Sequence, residues 1–234
     1  MDQDRSIELG LGREAVSERS FLSQVYFWMA MGLGLTGLVA GWMAMNPSLI
    51  VAFARNSGLF LILAIVQLGL VFWLSSQIMN LSVMTATVGF AIYGTLNGIL
   101  LSTIFLVYTT ASIASTFLVT AGMFGAVSLY GFVTRRDLTG VGSLAFMGLI
   151  GIILASLVNW FLRSPALDWL ISYIGIAVFM GLTAYDTQKL KQIHRQGFAS
   201  GDMLLKIALL GALTLYLDFI NLFLSLLRVL GRRK

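Results

Sequence analysis

Residues 181–221 read GLTAYDTQKLKQIHRQGFASGDMLLKIALLGALTLYLDFIN. Two apolar runs flank a short, basic, glycine-containing connection, which is the pattern of two membrane helices joined by a turn. Asp186 lies near the end of the first run and Asp218 near the middle of the second. The other acidic residues, Asp2, Asp4, Glu8, Glu14, Glu18, Asp137, Asp168 and Asp202, fall in segments that read as tails or loops. A carboxylate at the centre of a membrane helix costs about 2.5–3.5 kcal/mol on insertion scales, so one that is kept there points to function. This chain keeps two, on consecutive helices, and the remainder reads as a scaffold around them.

The composition fits that reading. Of 234 residues, 58% are hydrophobic and 11% charged, and the mean hydropathy is +0.90. A soluble domain carries about 25% charged residues, so lipid must cover much of this surface. The absence of cysteine excludes disulfides and thiolate metal sites. The net charge of +5 collects in tails and loops, where it is a topology signal. No basic stripe interleaved with aromatic residues occurs in a soluble segment, which argues against nucleic acid as a partner. The 24 glycines suit close helix packing in lipid.

Outward from the aspartate-bearing pair, residues 1–20 form a polar tail without fold signals and residues 21–230 a membrane domain. Residues 231–234 form a basic C-terminal tail. The apolar runs are 21–44, 58–78, 83–107, 112–133, 141–162, 167–189 and 204–228. Each approaches or exceeds the roughly 20 residues a helix needs to cross a hydrocarbon core of about 30 Å. Period-two alternation is absent, which excludes a β-barrel. The fold class is therefore an all-α polytopic membrane protein with seven transmembrane helices. Asn46-Pro47 stops the first run, and residues 48–57 read as a connection.

With the N-terminus inside, Arg5, Arg13, Arg19, Arg135, Arg136, Lys189, Lys191, Arg195 and Lys206 are cytoplasmic, against Arg55 and Arg163 outside. That bias favours a cytoplasmic N-terminus. Seven crossings place Arg228, Arg232, Arg233 and Lys234 outside, against the rule. A full last crossing is preferred to a re-entrant one because residues 207–227 are long enough, and the side of the C-terminus stays open.

Thr183, Asp186 and Thr187 share one helix face, as do Thr214, Asp218 and Asn221. Asn97 and Asn159 are amides in other runs. Such oxygen ligands suit a hard cation or a proton relay, although threonine and asparagine alone more often join helices. If the carboxyls meet they titrate as a coupled pair. Measured from the run edges the two aspartates differ in depth by about 13 Å, and by about 9 Å if helix six continues to Arg195 and helix seven starts near Ser200 or Asp202. Contact is permitted, not forced. His194, in the basic connection, reads as solvated, which leaves a serine–histidine hydrolase without a deep base. An aspartyl intramembrane protease would share Tyr185-Asp186 but needs Gly-x-Gly before the second aspartate, where this chain has Leu215, Tyr216 and Leu217. The reading is non-enzymatic, with no cofactor.

The segments GLTAYDTQKL (181–190), GALTLYLDFINLF (211–223) and the run from Ser102 through YTTASIASTF (108–117) to AGMFG (121–125) resemble the bacterial branch of the Bax inhibitor-1 (TMBIM) family. The likeness covers nearly all of residues 20–230 and is nearer to enterobacterial inner-membrane members than to the shorter calcium-leak proteins of Gram-positive bacteria. It implies a seven-helix fold with helix seven central within a six-helix ring. It also implies a pH-sensitive, calcium-permeable leak in a bacterial inner membrane, gated by Asp186 and Asp218 as a di-aspartyl pair and as transient ligands to Ca²⁺. Thr183, Thr187, Asn221 and Asn97 are then candidate pore-lining groups. Where that family commonly carries a latching arginine at the end of helix two, this chain has Gln77. The longer connection between helices six and seven is a second departure. Some enterobacterial relatives regulate a membrane-bound ATP-dependent protease through a cytosolic tail, which makes residues 1–20 a candidate contact for such a partner. A proton-coupled transporter is weakened by the lack of a visible inverted repeat.

Overall fold

The computed structural model describes residues 2–195 and 201–234, with side chains from residue 18 onward. Ser200, one candidate cap, lies outside the described residues. Among them the chain forms nine helices: α1 (Asp2–Ala44), α2 (Pro47–Arg55), α3 (Ser57–Gln77), α4 (Val83–Leu101), α5 (Ile104–Val107), α6 (Thr110–Val133), α7 (Thr139–Leu162), α8 (Pro165–Arg195) and α9 (Gly201–Leu230). Seven spans are long and apolar enough to cross a membrane: Glu18–Ala44 within α1, α3, Val83–Val107 over α4 and α5, and then α6, α7, α8 and α9. The protein is an all-α polytopic membrane protein.

Three local readings change. Residues 2–20, expected as a tail without fold signals, are the first turns of α1. The connection after Asn46 is itself a helix: Pro47 occupies its first turn, where the missing N–H costs nothing, and Ile50 and Phe53, three apart, are buried on one face. The third span breaks at Ser102 and Thr103, whose hydroxyls donate to the carbonyls of Ile99 and Leu100 at 2.6 and 2.8 Å. Those bonds stand in for backbone partners where one helix ends and the next begins.

Helix α9 is the axis of the bundle. Over its most apolar stretch 72% of residues are buried, against 11% for α3 and α7. It packs directly on α1, α4, α6 and α8, while α3 lies outside α4 and α7 outside α8. The surround is therefore layered: α3 and α7 complete it from the outside. Their large apolar side chains, such as Ile62, Phe72, Phe146 and Phe161, are exposed, as lipid-facing positions require.

The C-terminal residues are fastened down. Thr109 N donates to Arg232 O at 3.1 Å and Lys234 N to Val107 O at 2.9 Å. Tyr108 and Arg233 form an antiparallel bridge, and Arg232 N donates to Ser112 Oγ at 2.9 Å. The α5–α6 link lies at the end of the bundle opposite Arg195 and Gly201, so α9 runs the full length of the bundle as one continuous helix.

Candidate functional site

Helix α8 runs on to Arg195 and α9 begins at Gly201, so the hairpin is the longer of the two considered. Asp202 sits in the first turn of α9, where a carboxylate complements the helix dipole. Side-chain contacts fix the register: Leu190 fills the space beside Gly211, and Ser225 the space beside Gly175. In that register Asp186 is level with Leu215 and Asp218 with Thr183, an offset of about one turn, or roughly 5 Å. Each Cα–Cβ bond tilts toward its own helix N-terminus. In an antiparallel pair those tilts are opposed, so the two carboxyls lean toward each other and meet. The depth mismatch is closed by side-chain direction.

Asp218 is 5% exposed and Asp186 half-buried. Oδ2 of Asp218 is buried and has no hydrogen-bond partner among the described residues. A carboxylate accepts only, so contact between two carboxyls requires a proton on one of them. Lys189 acts electrostatically on Asp186 from the next turn of α8. Its Nζ lies 5.7 Å from the centroid of the Tyr185 ring.

The other candidates divide. Thr183 and Thr187 are fully buried on the same α8 face. Thr183 Oγ1 donates to Phe179 O at 2.7 Å, and Thr187 Oγ1 lies 3.0 Å from Ser128 Oγ and 3.4 Å from the Tyr26 hydroxyl. Asn221, about one turn beyond Asp218, donates to Leu217 O at 2.8 Å. With Ser225 and Arg228 it lines a cavity of about 420 Å³ bordered by α7 and α8. Asn97 is elsewhere. Its Nδ2 donates to the Tyr216 hydroxyl at 2.5 Å, and Tyr216 is two residues, about 200°, around α9 from Asp218. Gln77 is exposed at the end of α3, where its Oε1 accepts from Asn80 at 3.2 Å.

Asn97 belongs to a directed chain that sequence reasoning missed. Gln67 Nε2 donates to Asn97 Oδ1 at 2.9 Å; Asn97 donates to Tyr216, which lies 2.7 Å from Thr36 Oγ1; and Thr36 donates to Gly94 O at 2.9 Å. The Thr36 proton is committed to Gly94, so Tyr216 donates to Thr36. Four spans are joined by neutral groups. Gln67 was detectable in the sequence, being an amide in the middle of the second apolar run.

At the Glu18 end, His194 lies on α8 and stacks on Phe21 with ring centroids 4.9 Å apart, not in a solvated loop. Glu18 is buried and paired with Arg195. Gln188 holds the α6–α7 link by accepting from Leu138 N and donating to Arg136 O, both at 2.9 Å, and Lys191 donates to Phe132 O at 2.8 Å. Asn159 is likewise structural, donating to Asp168 Oδ1 at 2.5 Å and accepting from Ser164 N at 2.9 Å. Among the described residues no group of three or more His, Asp or Glu side chains is placed to hold a metal ion.

A profile of the family described as "Inhibitor of apoptosis-promoting Bax1" matches residues 18–234. The chain is 56% identical over 218 residues to inner membrane protein YbhL of Escherichia coli K12, covering 92% of this chain and 93% of that one. It is 45% identical over 218 residues to uncharacterized protein RP147 of Rickettsia prowazekii, covering 92% and 91%. It is 42% identical over 222 residues to an uncharacterized protein of Borreliella burgdorferi, covering 95% and 96%.

Proposed function

The chain belongs to the Bax inhibitor-1 family, and we propose that it is a pH-sensitive, calcium-permeable leak pathway of a bacterial inner membrane, gated by Asp186 and Asp218. The observation that carries this reading is the meeting of two carboxyls on the buried face between α8 and the central helix α9. With one proton shared, the pair holds the two helices together. When the proton leaves, two carboxylates about 4 Å apart repel by about 4 kcal/mol at an effective dielectric of about 20. Lys189, at the helix surface, offsets only part of that. Separation of α8 from α9 then presents carboxylate oxygens, the ligands Ca²⁺ prefers, next to the cavity lined by Asn221. Gln77 takes no part in holding the pair, so the latch is the dyad itself.

The inner-membrane assignment is supported by the name of the E. coli relative. A cytoplasmic Glu18 end is supported by the lysines and arginines gathered there. A non-proteolytic role is supported by Leu215 and Tyr216, which are wholly buried and leave no bare backbone for a substrate. The test is Ca²⁺ entry into liposomes containing the purified chain, from about pH 6 to pH 8, for wild type and Asp218→Asn. Flux that rises with pH in wild type and loses that rise in the variant supports the gate. A pH-dependent flux that survives Asp218→Asn refutes it.

A second reading, regulation of a membrane-bound ATP-dependent protease through residues 1–20, is favoured by one observation. Helix α1 starts at Asp2, while its membrane-spanning part starts at Glu18, which gives an arm of about 24 Å ahead of the bilayer. Removing residues 2–17 should abolish such regulation and leave Ca²⁺ entry unchanged; loss of both together would contradict two separable roles.

A further inference from the structure

Between α1 and α6 the bundle is open at the side. A cavity of about 580 Å³ lies there, with Leu22, Met29 and Leu33 of α1 on one wall, Ala121 and Phe124 of α6 on the other, and Phe219 of α9 as its floor. It follows α1 from Arg19 to Leu33, about 21 Å at 1.5 Å per residue. That is more than half of a hydrocarbon core of about 30 Å, the depth one leaflet needs. Its volume falls in the range of ligand cavities, about 300–1,000 Å³. The flanking positions, Phe27 and Met31 on α1 and Leu118 and Val133 on α6, are exposed apolar side chains, so the mouth opens on lipid.

The lining is apolar along its length and cationic at one end. The Tyr26 and Ser128 hydroxyls in it are bonded to each other at 2.9 Å. Arg19 is its charged residue. It is exposed and pairs with no described carboxylate, because its neighbour Glu18 is taken by Arg195. A chain-shaped apolar slot that starts at the bilayer edge beneath an exposed guanidinium complements a lipid whose head is negative, and arginine matches phosphate with two parallel hydrogen bonds.

The geometry points to an anionic phospholipid seated in this groove, with an acyl chain along α1 and its phosphate against Arg19. The occupant touches both helices of the aspartate pair at one remove. Phe219 follows Asp218 in sequence, and the Tyr26 hydroxyl lies 3.4 Å from Thr187, which follows Asp186. A seated chain therefore braces α1, α6 and α9 in the arrangement that keeps the carboxyls together. That consequence rests on the proposed gate; the binding itself does not.

The test counts phospholipid retained by the purified full chain in native mass spectrometry, after equal amounts of phosphatidylglycerol and phosphatidylcholine are offered. Gly125 lines the groove, and a Cβ there meets nothing within 4 Å, so Gly125→Leu projects a bulky side chain into the slot from an unhindered Cβ. Wild type should retain phosphatidylglycerol in preference. Gly125→Leu should lower retention at least about tenfold, which corresponds to about 1.4 kcal/mol of binding free energy. Arg19→Gln should keep the lipid and lose the preference for the anionic head. Ala121→Leu fills the same groove from another position and should repeat the Gly125→Leu result, which separates filling from misfolding. Equal retention by wild type and both filled variants, or an unchanged head preference in Arg19→Gln, overturns the assignment. Ion flux is not a readout here, so a failed leak reading and a failed lipid site are told apart.

Discussion

Asp218 is buried against a second carboxyl, and Asp137 sits in the opposite environment. Asp137, at the α6–α7 link, is exposed and accepts from Thr139 N and Oγ1 at 2.9 and 2.6 Å. Those bonds hold its carboxyl below the usual carboxylate range. A depressed carboxyl contributes above its unfolded value of about 3.9 and loses that contribution as pH falls through the folded value. It stays ionised from about pH 6 to pH 8, so Asp137→Asn should leave the pH profile of Ca²⁺ entry unmoved; a shifted midpoint would show a second sensor. Tyr216 offers the converse case. Tyr216→Phe removes the acceptor of Asn97 and the donor to Thr36, and leaving buried polar groups unpaired costs about 1–3 kcal/mol. Thermal unfolding should show that loss, while the pH dependence of flux persists because Tyr216 faces away from the pair.

Helix packing around the site includes a close backbone approach of α6 to α8. A Cβ at Gly131 of α6 would collide with the backbone carbonyl of Ala184, two residues before Asp186. Gly131→Ala should therefore push α6 off α8 and destabilise by about 1–3 kcal/mol, the usual range for overpacking. Gly151→Ala in α7, where the added Cβ meets nothing, should be neutral or stabilising by up to about 1 kcal/mol; a comparable loss at both positions in thermal unfolding would count against the packing argument. The seven spans and the two aspartates were legible in the sequence because the bilayer sets both a minimum length and a penalty for charge. The meeting of Asp186 with Asp218 was not, because it turns on helix register and the opposed lean of Cβ atoms. Helix α2 and the stacking of His194 on Phe21 were hidden for a related reason: each depends on which faces meet, which apolar run lengths do not encode.

Across the whole molecule, the strapping of residues 231–234 onto the α5–α6 link puts the C-terminus at the end opposite Arg136. The chain has no cysteine, so one cysteine placed after Lys234 and, separately, Arg136→Cys give clean topology reporters. A membrane-impermeant maleimide should label them from opposite sides of the same membrane; labelling from one side would contradict a full seventh crossing. Helix α9 is joined to α1 and α4 by the neutral hydrogen bonds of Tyr216 and packs on α8 along the face that carries Asp218; under the proposed gate, loss of a single proton weakens the packing on α8 and leaves those hydrogen bonds intact. The most direct test is a double-mutant cycle in Ca²⁺ entry from about pH 6 to pH 8, comparing Asp186→Asn, Asp218→Asn and the double variant with wild type. A pair acting as one unit is non-additive, so each single variant should abolish the pH dependence and the double should add nothing further. Independent, additive effects of the two substitutions, or a pH dependence that survives in the double variant, would contradict the shared-proton gate.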